Sequence, residues 1–407
     1  MASKKKPFRS YKHPSDKRER GSTKSKGPSA KPAPAPKKAE PKKSEPKKLE
    51  PKKPETKTAP TKPAPTKPDA KKPKPEKPKP EKPKLEKKLE KTATTTGPTR
   101  CGTVALVGRP NVGKSSLLNA LLGQKIAATT HKPQTTRRAL RGVFTEGNTQ
   151  IVFVDTPGLH DEKGGLFSYM LEEAKDAAAG VDVLCFLVEA DSKGGGVAPV
   201  DEAALKTLEG KISGKPAILI INKIDVLSDK SALLPVLQAW SSKADFKALI
   251  PVSAHKRDGL QPLVDEIRKH LPEAPFAFDG ESLTDQSERD IAAELIREKV
   301  MLELQQEIPY RAAVVVEAFD ESRRDDARKP LVSIAAQIVV EKDSQKAMVI
   351  GAGGQRIKAI GQRARQELQH LLGCQVHLEL FVRVEEKWTE TQAGLQKLGY
   401  TRTSGGR

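Results

Sequence analysis

Residues 108–115 read GRPNVGKS, a G-x-x-x-x-G-K-S whose residue types and spacing address a chain of phosphates. Glycines at 108 and 113 let the backbone wrap close to phosphate, and N–H groups at a helix start point at negative charge. The candidate cradle is therefore Gly108, Arg109, Pro110, Asn111, Val112, Gly113, Lys114, Ser115 and Ser116. Within it Lys114 would reach the β- and γ-phosphates, and the Ser115 hydroxyl would ligate Mg²⁺. DTPG at 155–158 supplies Asp155 for the metal's outer shell and the Gly158 N–H to sense the γ-phosphate, with Thr156 and Pro157 between them. NKID at 222–225 chooses the base. The Asp225 carboxylate would accept two parallel N–H bonds from the N1 and N2 edge of guanine, a pair that adenine does not offer. Asn222 would meet the N7/O6 side, the Lys223 stem would cover the base face, and in PVSA (251–254) Ser253 and the Ala254 N–H would complete the O6 side. Each motif alone could be a strand-end turn. In this order they specify GTP or GDP, with no other small-molecule substrate.

These residues need a frame that brings four separate loops to one place. Short β-branched runs at 103–108, 149–155, 181–189, 217–223 and 248–254 alternate with helical spacing at 116–122, 166–179, 200–210, 229–242 and 259–271. Such alternation predicts an α/β domain with a mostly parallel sheet, whose ligands sit at the carboxyl ends of the strands. Every motif above falls there.

A second texture begins near residue 280. SERDIAAELIREKVMLEL (287–304) predicts a capped amphipathic helix starting at Ser287, followed by strand-like runs at 310–319, 331–341 and 375–384. Between the last two lies MVIGAGGQRIKAIGQRARQELQHLLG. Helix–strand–strand–helix with Ile-Gly-x-x-Gly resembles a KH domain of the bacterial type 2, a small α+β fold. Two helix starts without side chains between them can clamp the backbone of single-stranded RNA. The candidate RNA contacts are Ile350, Gly351, Ala352, Gly353, Gly354, Arg356, Ile357, Lys358 and Arg363, with Ile350 and Ile357 as an apolar floor. GAGG carries no basic residue between its outer glycines.

Together GRPNVGKS, KPQTTR (132–137), DTPGLH, NKID and PVSA resemble the Era family of bacterial GTPases, over about residues 101–398. The resemblance implies a P-loop GTPase that hydrolyses GTP with Mg²⁺. It also implies binding near the 3′ end of small-subunit (16S) rRNA and a role in 30S subunit assembly in the cytoplasm, with peripheral contact at the inner membrane face as a family option. KPQTTR would lie in the first switch, with Thr136 as metal and γ-phosphate ligand and Thr135 as the alternative. Where many small GTPases carry a water-orienting Gln after DxxG, this chain has Leu159. Two readings follow. Either Asn111 helps hold a K⁺ ion that places positive charge where an arginine finger otherwise acts, making Asn111, Lys114, Thr136 and Gly158 the catalytic set, or the chain is a slow switch that barely hydrolyses and Asn111 only tolerates an unusual backbone angle. Gly164 and Gly165 would let the second switch move. A non-enzymatic RNA-binding module with GTP or GDP as a structural ligand is the competing class.

Charge separates the chain's parts. The formal net charge is +21, yet residues 1–100 alone hold 33 Lys and Arg against 11 Asp and Glu, so the rest is close to neutral. That leader holds 20 of the 32 prolines and repeats EPKK and PEKPK. Its composition predicts a disordered basic arm, read either as an attachment to RNA or anionic lipid or as a plain spacer. It lacks the features of an import or secretion signal, and no 18-residue apolar run exists. Cys101, Cys185 and Cys374 lack ligand or bridge spacing and read as small hydrophobes. The expected layout is a leader at 1–98, a GTPase domain at 99–273, a linker at 274–284, a KH domain at 285–398 and an unassigned tail at 399–407.

Overall fold

The computed structural model describes residues 97–160, 164–190, 196–210, 214–304 and 308–401; expectations for the leader and for residues 402–407 lie outside them. The first domain is a six-stranded sheet built from β1 (Arg100–Val107), β2 (Leu140–Glu146), β3 (Thr149–Asp155), β4 (Val183–Glu189), β5 (Ala217–Asn222) and β6 (Phe246–Pro251). Its order is β2-β3-β1-β4-β5-β6, and β2 alone runs antiparallel, paired to β3. The strand order reverses beside β1, so the loop leaving β1 opens into the crevice where such sheets bind ligands.

Alternation along the strands sends side chains to two cores. Val104 and Leu106 of β1 face α1 (Lys114–Leu122) and α5 (Leu260–His270), meeting Leu117, Leu118, Leu263 and Ile267. Ala105 and Val107 face α2 (Gly165–Ala179), α3 (Pro199–Thr207) and α4 (Leu233–Ser241), meeting Ala174, Leu205 and Trp240. Strands buried on both faces explain why the central runs read as almost unbroken apolar stretches.

The expected linker is a strap on this sheet. Val143 N–H donates to Leu283 O at 2.8 Å, and the Gln150 side-chain Oε1 accepts from the backbone N–H groups of Ala277 and Phe278. It delivers the chain to α6 (Glu288–Glu303), which Ser287 caps as expected by accepting from the Asp290 N–H, a cap contributing about 1 kcal/mol. Then follow β7 (Ala313–Arg323), β8 (Leu331–Val340), α7 (Asp343–Ile350), α8 (Gln355–Leu372), β9 (Gln375–Val384) and α9 (Gln392–Lys397). The three-stranded sheet has the order β7-β8-β9, antiparallel then parallel.

One face of this second sheet packs on α6 and α8 through Ile291, Leu295, Ala364 and Leu368. The other face packs on the first domain. Ala313 and Val339 share a core with Leu166, Tyr169 and Met170 of α2, and with Trp388, Leu395, Leu398 and Tyr400. Tyr400, in the unassigned tail of the sequence reading, is therefore a core residue. α2 carries two buried stripes, and the one at 166, 169 and 170 is buried by the KH sheet and the C-terminal segment.

Candidate functional site

Loop backbone makes the pocket. After β1 the chain turns through Gly108 and Asn111, with Asn111 at φ 66°, before α1 begins at Lys114. Gly113 is fixed by a close approach: a Cβ there would stand 2.4 Å from Asn222 Nδ2, at a φ of 96°. The resulting cavity of about 530 Å³ takes lining from Arg109, Pro110, Asn111, Gly113, Lys114, Ser115, Ser116, Thr136, Gly158 and Lys223, which came from four sequence motifs. Val112 packs beneath it in the core.

Lys114 is 6% exposed, and its Nζ donates to the Gly108 and Arg109 carbonyls, both at 3.1 Å. Burial pulls its ammonium down to about 8, against the upward pull of the Asp155 carboxylate. Three oxygens converge beside it. Ser115 Oγ donates to Asp155 Oδ2 at 2.6 Å, and Thr136 Oγ1 lies 2.8 Å from Ser115 Oγ and 3.2 Å from Asp155 Oδ2. Asp155 Oδ1 is buried without a hydrogen-bond partner, and burial pushes this carboxyl above its ordinary range. Hydroxyls around a buried carboxylate with an unanswered oxygen fit a hard cation such as Mg²⁺, which takes oxygen ligands and leaves positions for phosphate. Thr135 lines the same cavity, with its Oγ1 2.7 Å from Thr130 Oγ1 and donating to the Lys132 carbonyl at 2.9 Å.

The DTPG turn is held by Thr156 Oγ1, which donates to Leu106 O at 2.8 Å. Gly158 stands against Pro110, where a Cβ would come within 2.6 Å. Leu159, at the position of the usual glutamine, is 3% exposed and belongs to the α2-side core. It contributes packing and no hydrogen bond from its side chain.

At the base end, Asn222 is 1% exposed and engaged inside the protein. Its Nδ2 donates to Val112 O at 2.8 Å and its Oδ1 accepts from the Ala254 N–H at 3.1 Å. The residue expected at N7/O6 thus braces the phosphate loop against the VSA loop. Asp225 is exposed and accepts from Ser253 Oγ at 2.5 Å, which aims its carboxylate. Lys223 Nζ sits 3.1 Å from Glu189, which also receives Arg109 Nη2 at 3.0 Å. Arg109 Nε lies 2.8 Å from Asp201 Oδ1, an ion pair without hydrogen-bond alignment. Arg109 therefore ties the pocket wall to β4 and α3.

Sequence reasoning missed Asn119. Its Oδ1 accepts from the backbone of Ile126 and Ala127 and its Nδ2 donates to Ala127 O, shaping the entry of the 124–138 segment. A buried-face Asn in an apolar helix was the available signal.

In the second domain, Gly351, Gly353 and Gly354 all have positive φ, forming the tight turn between α7 and α8, with Ala352 exposed at its tip. A groove of about 540 Å³ runs alongside, lined by Ile357, Lys358, Gly361, Gln362, Arg365, Leu378 and Leu380. Only Ile357 and Lys358 of the expected contacts line it; Ile350 closes α7 beside the turn. Arg356 donates to Met348 O at 2.6 Å and Arg363 is paired with Glu303, and both remain exposed to solvent. Arg365, Leu378 and Leu380 also line the groove, and only the fold reveals that β9 faces it.

A phosphate loop at the switch point of a parallel sheet, a guanine-type NKxD and a Gly-x-x-Gly helix pair on a three-stranded sheet define a P-loop GTPase joined to a KH domain. Comparison agrees. Residues 103–223 match the family described as a 50S ribosome-binding GTPase, and 307–389 match the KH domain family. GTPase Era of Trichlorobacter lovleyi is 44% identical over 301 residues, 74% of this chain and 98% of that protein. GTPase Era of Geobacter metallireducens is 46% identical over 304 residues, 75% and 99% of the two chains. Two crystal structures, one of an Aquifex aeolicus Era variant bound to GDP·AlF4⁻ and one of Era in complex with MgGDPNP and nucleotides 1506–1542 of 16S ribosomal RNA, superpose with a TM-score of 0.69 each. They are 36% and 37% identical and cover 75% of this chain and 100% of theirs. The chain belongs to the Era family of GTPases. It is a hydrolase acting on GTP, and the alternative of a non-enzymatic module falls away.

Proposed function

We propose that this chain couples Mg²⁺-dependent GTP hydrolysis to the grip of its KH domain on single-stranded RNA near the 3′ end of 16S rRNA, acting on the 30S particle during its assembly. The observation that carries the catalytic half is the meeting of Ser115, Thr136 and Asp155 oxygens beside Lys114. Ser115 and Thr136 would hold the metal directly and Asp155 from its outer shell; bound there, Mg²⁺ neutralises phosphate charge. Lys114 and the phosphate-loop N–H groups hold the β- and γ-phosphates, Gly158 N–H meets the γ-phosphate, and Asp225 reads guanine.

Asn111 would help hold a K⁺ ion, which would place positive charge beside the phosphates where an arginine finger otherwise acts. Its Nδ2 donates to His131 O at 3.0 Å, so its side-chain oxygen, an acceptor, would be the atom offered to K⁺. The RNA half rests on the groove beside Gly351–Gly354 and on the likeness to an Era chain crystallised with 16S rRNA nucleotides. The reading puts the protein in the cytoplasm, where the basic leader would attract polyanions, with the inner membrane face as a secondary peripheral contact.

Phosphate release from GTP by the full chain, in KCl and then NaCl at equal ionic strength, tests this reading. Turnover that needs Mg²⁺, is faster in KCl, loses that preference in Asn111→Ala and changes with a 16S 3′-end oligonucleotide is the expected result. Equal rates in the two salts would remove K⁺, and indifference to the oligonucleotide would remove the coupling.

A further inference from the structure

KPQTTR carries two cations that the nucleotide site does not use. Arg137 follows the proposed metal ligand Thr136 directly, is 2% exposed, and points away from the pocket. It donates to Ala312 O at 2.8 Å, Tyr310 O at 2.9 Å and Pro309 O at 3.2 Å, and lies 3.3 Å from the Tyr400 hydroxyl. Its guanidinium stands 5.7 Å from the Trp388 ring centroid. No carboxylate pairs with it among the described residues. Carbonyl dipoles, an aromatic face and the field of the nearby Glu294 carboxylate stabilise this buried charge, and removing the carbonyls or the ring leaves it less well solvated.

Trp388 and Tyr400 form one unit. Their rings stack at 5.7 Å with planes 16° apart, and Trp388 Nε1 donates to Arg311 O. Tyr400 also meets Tyr169 of α2 edge-on at 5.8 Å and carries the Arg138 guanidinium 4.6 Å above its face. Arg138 donates to Leu398 O at 2.9 Å. On the α2 side, the Leu166 N–H donates to Thr389 O at 2.8 Å. A Cβ at Gly165 would come 2.8 Å from that same oxygen, so this glycine serves close approach as well as freedom. The ring pair thus touches both segments that flank the γ-phosphate side of the pocket, residues 136–138 and the start of α2.

We infer that the Trp388–Tyr400 pair is a seat that fixes Arg137, and through it Thr136, making the C-terminal segment 387–400 a positioning element for GTP hydrolysis. Tyr400, Trp388 and Arg137 are positioning residues, since none touches the nucleotide site. The inference rests on the proposed role of Thr136. GDP lacks the γ-phosphate, so the seat acts on the triphosphate state and leaves GDP binding alone. It also gives the KH domain a direct hold on the switch, because Pro309, Tyr310 and Ala312 are its own residues.

The test uses the full chain with Tyr400→Ala, Tyr400→Phe and Arg138→Ala. Arg138 is exposed, so its loss unfastens the segment without opening the core. Tyr400→Ala is expected to lower kcat about tenfold or more, raise the Mg²⁺ concentration for half-maximal turnover, and shrink the ratio of GDPNP to GDP affinity. GDP affinity itself should stay within about twofold, while Tyr400→Phe, which keeps the stacked ring, recovers most of the loss. Arg138→Ala should move the same three quantities in the same direction, and decides the matter if Tyr400→Ala does not fold. Wild-type values in both Ala variants would overturn the inference, as would an equal loss of GDP affinity. A wild type that releases no phosphate would instead sink the catalytic reading, and the GDPNP-to-GDP ratio would still report on the seat.

Discussion

Asp225 and Asn222 sit three residues apart and do different work. Asp225 is exposed and Ser253 aims its carboxylate, which in the proposed function would offer only acceptors to the base. Asp225→Asn replaces one acceptor by a donor, which opposes the N–H groups of guanine and suits the 2-oxo group of xanthine. Losing two bonds to a charged acceptor should cost about 3 kcal/mol in GTP affinity, roughly a hundredfold, with XTP gaining in competition binding; unchanged GTP affinity would exclude Asp225 from the base. Asn222 shows where sequence reading runs short. Its place in NKID was legible, but its bonds to Val112 O and Ala254 N–H belong to two loops more than 30 residues away in sequence, which spacing within a motif cannot reveal. Gly113 is the same case. Its need for positive φ could be read from the motif, whereas the 2.4 Å approach of Asn222 could not. Gly113→Ala should therefore abolish nucleotide binding in a chain that still melts cooperatively, and retained GDP affinity would show that the loop can relax around a methyl.

At the scale of elements, the apolar runs with helices between them were enough to read β1 and β3–β6 and the helices that cover them. β2 was not legible. It is an edge strand with mixed burial, and its third residue, Gly142, lies under Leu118 and Leu122 of α1, so its composition reflects a neighbour more than a strand. α9 was missed because its six residues bury only Gly394 and Leu395, too short for a helical period. The segment before α9 is anchored by Glu341 at the end of β8. This carboxylate is 3% exposed and accepts from Thr389 Oγ1 at 2.6 Å, Thr389 N–H at 3.2 Å and Arg311 at 2.5 Å. Burial pushes its carboxyl up, but these donors outweigh burial and hold it below the ordinary 4.5. A depressed folded value means its contribution is complete above pH 4.5 and is lost as pH falls through the lower folded value. Glu341→Gln should cost about 1–3 kcal/mol at neutral pH, and its melting temperature should fall less steeply than the wild type's below pH 4.5. Parallel acid profiles would exclude Glu341 as an acid-sensitive anchor.

Across the whole molecule, charge and grip lie in different places. The described KH groove offers Lys358 and Arg365 as lining cations, while exposed Arg356 and Arg363 sit outside the lining, paired with Met348 O and Glu303. The leader, by contrast, carries 33 Lys and Arg against 11 acids, in a chain whose net charge is +21. Single-stranded nucleic acid gives a salt slope of about −0.7 per phosphate neutralised. A groove with two lining cations therefore predicts a slope near −1.4 for the folded part alone. The full chain should show a steeper slope, because tethered lysines neutralise further phosphates without choosing among sequences. Deleting residues 1–95 should flatten the slope to roughly −1 to −2 and weaken binding to matched and scrambled oligonucleotides by similar factors. Preference for the matched RNA would then survive the deletion, since the groove sets it. An unchanged slope would assign the leader to spacing alone, and a loss of preference would place sequence reading outside the groove.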